Sequence, residues 1–307
     1  MFTSLRVAWA VSLGTVALPL IGTSLASSAT STRAPACIVS LSPTATETLF
    51  AIGAGHQVQA VDSDANFPRH GLPAKRVNAL NPSVESLIGI CKATTGASSK
   101  PNLVIISYDA NSIKEKLTAL GVRVVAQYAP TSLAGALSQI RQLGALTGHA
   151  AAADALATSM SRAIAADVRS VPAHPTKKLS VYYELDPTFY SLTSSTFVGA
   201  LMKSLGVVNI ADADATTADA GYPKLSAEYI TSANPKLILL ADTLCCKVTP
   251  ASVRARAGFA HVSAVVNGHV VNLNDDVASR WGPRLVLLMK QITAAVKTTL
   301  ADARVWK

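Results

Sequence analysis

The sequence predicts an α/β protein of two lobes, each with a mainly parallel sheet, joined by one long interlobe helix. Three observations carry that prediction. Short β-rich runs alternate with helix-like segments along most of the 307 residues, the pattern of strand–helix–strand units. One phrase is written twice: PNLVII at Pro101–Ile106 and PKLILL at Pro235–Leu240 each follow a helix-like segment carrying one glutamate. Between them lies Ala150–Val168, alanine-rich and free of glycine and proline; as a helix its 19 residues would reach roughly 28 Å.

In chain order, CIVSL reads as a strand. Thr44–Ile52 follows as a helix, opened by Pro43 and closed by Gly53 and Gly55. QVQAVD is a second strand, and DANFPRHGLP is a loop punctuated by proline and glycine. PSVESLIGI is a helix, and CKATTGASSK separates it from the PNLVII strand. Helix NSIKEKLTALG, strand VRVVAQ and a helix over Thr131–Leu146 complete the first unit. The second begins with strand LSVYYEL and a helix over Thr196–Leu205. It continues through SAEYITSANPKLILL and strand HVVNL to a last helix over Arg280–Leu300. The expected division is a signal peptide over 1–29, an N-terminal α/β lobe over 36–147, a linking helix over 148–171 and a C-terminal α/β lobe over 172–307.

The signal-peptide reading rests on Arg6, the uncharged and mostly apolar run Val7–Ile21, and the small residues of TSLASSAT. That run is short for a membrane anchor, so the chain is expected to be periplasmic or extracellular. Export favours disulfides. Cys37, Cys91, Cys245 and Cys246 allow three pairings, of which Cys37–Cys91 with Cys245–Cys246 keeps each bridge within one half. The net charge of +9 comes without any Lys/Arg run interleaved with aromatics, so no nucleic-acid partner is expected and an anionic small ligand fits better.

No G-x-S-x-G, H-E-x-x-H or P-loop motif is present, and the six histidines lack metal-ligand spacing. No metal, no resident cofactor and no catalysis are therefore expected, and a binding cleft is the better reading. Its candidates lie at strand ends and loops. They are Tyr108 after PNLVIIS, Tyr222 in DAGYPKL, and Asp276, Arg280 and Trp281 in NDDVASRWGPR. Asp276 and Arg280 stand four apart, so a carboxylate can orient a guanidinium beside an aromatic, an arrangement suited to a planar anionic acceptor. Arg284, one turn on, reads as a solvated helix charge.

IVSLSPTATETLFAIGAG, the DSDANFP loop, the two glutamate-then-strand units and SRWGPRLV, taken in this order, resemble class III periplasmic substrate-binding proteins. That group includes the vitamin B12-binding and ferric-siderophore-binding proteins of ABC importers. The resemblance spans about residues 36 to 300. It implies ligand caught between two lobes bridged by a rigid helix, with Asp64, Tyr108, Tyr222, Asp276 and Arg280 at cleft positions. It also implies that one surface glutamate per lobe, Glu85 in PSVESL and Glu228 in LSAEYI, docks onto permease arginines. Glu228 precedes the proline of its strand by seven residues, as in the family; Glu85 precedes Pro101 by sixteen, which marks an insertion containing Cys91. B12-binding relatives carry tryptophan at the Tyr108 and Tyr222 positions and tyrosine at the Asp64 position. The expected function is a monomeric exported receptor that delivers an iron complex (ferric siderophore or haem) or a corrinoid to an ABC permease. An exported α/β hydrolase with a dispersed triad is the alternative.

Overall fold

The computed structural model describes residues 34–91, 99–173, 176 and 178–307; the expected signal peptide and the middle of the CKATTGASSK insertion lie outside them. Ala34–Lys307 forms one compact unit. None of its described helices is long and apolar enough to cross a membrane.

The chain runs β1 (Ile38–Leu41), α1 (Pro43–Ala51), β2 (Val58–Asp62), β3 (Arg76–Val77), α2 (Val84–Ile88), β4 (Leu103–Ile106), α3 (Ile113–Ala119), β5 (Arg123–Ala126), α4 (Leu133–Thr147) and α5 (Ala150–Ser170). It continues through β6 (Ser180–Glu184), α6 (Phe197–Ser204), β7 (Val208–Asn209), α7 (Ala227–Ala233), β8 (Leu237–Leu240) and α8 (Pro250–Arg254). The last elements are α9 (Ser263–Asn267), β9 (Val270–Asn272), α10 (Asp275–Ala278) and α11 (Leu285–Ala301). The strands form two sheets, ordered β3-β2-β1-β4-β5 and β7-β6-β8-β9, and every ladder in both is parallel. The short strands β3 and β7 were not legible in the sequence.

The twin phrases become β4 and β8, each the neighbour of the strand that opens its sheet. Leu103–Ile106 pairs with Ile38–Leu41, and Leu237–Leu240 with Val181–Glu184. Even the entries match: Asn102 N donates to Cys37 O at 2.9 Å, and Lys236 N to Ser180 O at 3.0 Å. Side chains alternate across a strand, and here both faces are dry. Leu103, Ile105, Leu237 and Leu239 enter one apolar cluster shared by the two sheets. Val104 and Ile106 face a cluster with α2 and α3, while Ile238 and Leu240 face another with α7, α8 and α9. A strand covered on both faces must be apolar throughout, which is why the phrase recurs.

The shared core holds the inner faces of α1, α4, α5, α6 and α11. Helix α5 packs against α4 on one side and α11 on the other, burying Ala153, Ala157, Met160 and Ile164, a stripe at alternating spacings of four and three. Gly144 of α4 is required at that contact, because a Cβ there would collide with the Ala153 methyl.

The last helix departs from expectation. The chain is helical over Asp275–Ala278, breaks, and resumes at Leu285. Arg280 lies in the break, not at a helix start. Gly282 and Pro283 explain it. A Cβ on Gly282 would sit 3.1 Å from Thr44 O, so close approach to the α1 entry selects glycine, and a proline fits only at a helix start.

Candidate functional site

Because both sheets are parallel, the segments leaving the carboxyl ends of their strands gather on one edge of each sheet, where α/β proteins present ligands. A cleft of about 510 Å³ opens there, lined by Ser42, Pro43 and Thr44 after β1, Ser63, Asp64 and Asn66 after β2, Ser107 after β4, and Asp276, Ser279, Arg280 and Trp281 after β9. Both halves of the chain contribute to its wall.

Each lining element is set locally. The Ser42 side chain caps α1 by accepting from Ala45 N at 3.2 Å, and Asn274 caps α10 by accepting from Val277 N at 3.1 Å. At the cleft, Arg280, Asn66, Arg284 and Trp281 donate hydrogen bonds from one half of the chain to the other. Arg280 Nη1 donates to Glu47 Oε1 at 2.8 Å and to Asn66 Oδ1 at 2.7 Å; its Nη2 donates to Asp64 O at 2.9 Å and to Asp276 Oδ1 at 3.0 Å. Asn66 completes the ring by donating from Nδ2 to Asp276 Oδ2 at 2.7 Å. Arg284 donates from Nε to Glu47 Oε2 at 2.9 Å and from Nη2 to Oε1 at 2.6 Å. Trp281 Nε1 donates to Gln139 Oε1 at 2.7 Å.

This geometry corrects the expectation for Arg284. Arg280 is buried, and its guanidinium is engaged by protein acceptors. Arg284 is not solvated: its side chain is 14% exposed, paired with Glu47, and its guanidinium carbon lies 4.6 Å from the Phe67 ring centroid. The residue at the centre, Glu47, is 2% exposed and went unrecognised in the sequence. Its one signal was a lone carboxylate in the first turns of a helix whose other early residues are proline, threonine and alanine.

Of the predicted residues, Asp64, Asp276, Arg280 and Trp281 line the cleft, and Tyr108 and Tyr222 do not. Both tyrosines stand out from the surface, at 65% and 45% exposure. They belong to a wider set. Among the described residues, seven exposed large apolar side chains follow the carboxyl ends of seven different strands: Phe67 after β2, Leu80 after β3, Tyr108 after β4, Tyr128 after β5, Tyr190 after β6, Tyr222 after β7 and Leu244 after β8. The two remaining strands, β1 and β9, are followed by residues of the cleft itself.

Glu85 and Glu228 occupy equivalent places. Each is exposed, two residues beyond a serine that caps its helix: Ser83 accepts from Ser86 N at 3.2 Å, and Ser226 from Tyr229 N at 3.0 Å. A hydrogen bond from its own backbone N–H, followed by one from the Ser83 hydroxyl, holds the Glu85 carboxyl below its ordinary range. The structure joins Cys37 to Cys91 and Cys245 to Cys246. Cys91 N donates to Ser99 O at 3.0 Å, closing the base of the insertion.

A fully parallel two-sheet fold with a cleft at the strand ends, built from both halves, defines a ligand-binding protein. The chain belongs to the periplasmic binding protein family, whose model matches residues 38–277. Among its relatives is an uncharacterized ABC transporter substrate-binding lipoprotein of Bacillus subtilis, 26% identical over 86% of this chain and 81% of that protein. A cobalamin-binding protein of Halobacterium salinarum is 29% identical over 86% of this chain and 70% of its own length. The crystal structure of a possible iron-binding periplasmic solute-binding protein of Staphylococcus epidermidis superposes with a TM-score of 0.72 at 25% identity, covering 86% of this chain and 99% of that one.

Proposed function

We propose that this protein is an exported receptor that binds a corrinoid at the carboxyl edge of its sheets and delivers it unaltered to an ABC permease. One observation carries the reading: exposed apolar side chains follow seven of the strands in the chain, and the polar cleft is itself formed by residues that follow strand ends. A sugar, an amino acid or a bare ion would leave such a set of side chains in water. A corrinoid offers a broad apolar macrocycle together with peripheral amides that suit Ser42, Ser63, Ser107 and Ser279. The cobalamin-binding and substrate-binding names of relatives point the same way. A hydrolase gains no support: among the described residues, the His149 and His269 rings meet Thr147 and Asp302.

The test is a thermal-shift panel of cyanocobalamin, ferric hydroxamate and catecholate siderophores, and haemin. Cyanocobalamin at a hundredfold its Kd should add about 2.7 kcal/mol of apparent stability. A shift only with an iron complex would move the assignment to that cargo, and no shift with any of them would overturn the receptor reading.

Delivery rests on Glu85 and Glu228 as matched anchors for permease arginines, one from each half. A double Glu85→Lys, Glu228→Lys variant should lose most permease-stimulated uptake in reconstituted vesicles. Its cargo affinity should stay within about twofold, and its stability within about 0.5 kcal/mol, as for exposed sites generally. Undiminished uptake would remove these residues from the docking surface.

A further inference from the structure

The segment leaving β8 carries a vicinal disulfide at its tip and is held with unusual thoroughness. Thr243 N and Leu244 N donate to the Asp275 carboxylate at 2.8 and 2.9 Å, and Cys245 N at 2.8 Å. The Thr243 hydroxyl donates to Leu273 O at 2.8 Å and to Asp275 Oδ1 at 3.0 Å. At the far side, Cys246 N and Val248 N donate to Asp242 O at 3.3 and 3.4 Å. Three consecutive backbone donors on one carboxylate fix the loop's position as firmly as an element of secondary structure would.

The tip of this loop displays apolar side chains, with the exposed Lys247 following them. Leu244 is 47% exposed, and Cys245 and Cys246 are exposed beside it, whereas Cys37 and Cys91 are buried at 8% and 4%. The core is served by Val248 at the loop's base, not by its tip. A bridge between adjacent residues ties both side chains into a small ring, so they present a polarisable surface with little side-chain freedom left to lose on contact. Asp275, which positions the tip, is the immediate neighbour of Asp276, which lines the cleft and holds Asn66 and Arg280. One turn of helix thus carries the cleft wall on one aspartate and the anchor of this loop on the next.

We infer that Leu244 and the Cys245–Cys246 ring form a preordered rim wall that contacts the apolar face of the bound macrocycle, with Asp275 as its positioning residue. The inference rests on the receptor reading above and adds a specificity element to it. Ligands without a broad apolar face would gain nothing from this wall.

The experiment compares wild type, Leu244→Ala, the double Cys245→Ser, Cys246→Ser variant, and Asp275→Asn, titrated with cyanocobalamin and with haemin. For whichever probe wild type binds, Leu244→Ala and the double serine variant should each weaken affinity about tenfold with Tm unchanged. Asp275→Asn should weaken it as much and raise hydrogen exchange at the amides of Thr243, Leu244 and Cys245. Treating wild type with dithiothreitol offers a measurement free of substitution. Exchange converts the exposed bridge to two thiols and the reagent to its cyclic disulfide, while the buried Cys37–Cys91 bridge persists, and affinity should fall as in the serine variant. Wild-type affinity in Leu244→Ala and after reduction would overturn the inference and leave the receptor reading intact. If wild type binds neither probe, the macrocycle reading and this rim fall together, a result visible before any substitution is made.

Discussion

Glu47→Ala should lower the unfolding free energy by about 3–5 kcal/mol, measured by urea denaturation. The carboxylate is buried between Arg280 and Arg284, and deleting it leaves two largely buried cations without their shared counter-ion, the costly way to break such a group. Glu47→Gln keeps the shape but removes the charge, so it should recover only part of the loss. The exposed Arg141–Asp154 pair supplies the contrast. Its 2.8 Å separation matches that of Arg280 and Glu47, yet its side chains are 45% and 66% exposed, and Arg141→Ala should cost at most about 1 kcal/mol. Equal costs for the two substitutions would show that burial does not govern the Glu47 group. Cleft geometry should suffer in parallel, because Arg280 also holds Asn66 and the Asp64 carbonyl in place.

Arg256→Ala should be comparably damaging, at about 3–5 kcal/mol. Arg256 makes a bidentate pair with Glu184, at 2.6 Å on both arms, and lies over the Phe189 and Phe259 rings at 5.4 and 5.5 Å. Glu184 has no exposed surface, nor has Asp242 beside it. Lysine cannot reproduce a planar fork stacked on aromatic rings, so Arg256→Lys should rescue little. The same cluster makes a pH prediction. Burial first, then the charge of Glu184, pushes Asp242 up to about 7. A carboxyl whose folded pKa exceeds its unfolded value contributes stability that is complete below pH 4 and lost as pH climbs towards 7. Asp242→Asn, neutral at every pH, should therefore gain on wild type by at most about 1.4 kcal/mol per pH unit across that window, and level off above it. A stability difference independent of pH across that window would show that folding does not raise the Asp242 pKa.

Much of the fold was legible because buried parallel strands leave a short apolar signature and helices announce their caps. PNLVII and PKLILL marked matching strands, and the alanine-rich stretch marked α5. Strands β3 and β7 escaped because two residues carry no periodicity. The break before α11 escaped for a different reason: the four-residue spacing of Asp276 and Arg280 suits a helical ion pair, and it survives across a turn even though the second residue has left the helix. Asp276, Arg280 and Trp281 could be picked out because polar and aromatic residues crowd one motif. Glu47 and Asn66 could not, since each meets its partners across more than two hundred residues of chain and no local pattern records such a meeting.

The core that both sheets share has a mechanical consequence. Swinging the halves apart as independent jaws would drag Leu103, Ile105, Leu237 and Leu239, and the helices wedged among them, into water. The free-energy barrier to that would dwarf anything a single cargo molecule could repay. Loading and unloading are therefore expected as small adjustments of the lip loops other than the one pinned on Asp275, while the two sheets stay together on their common core.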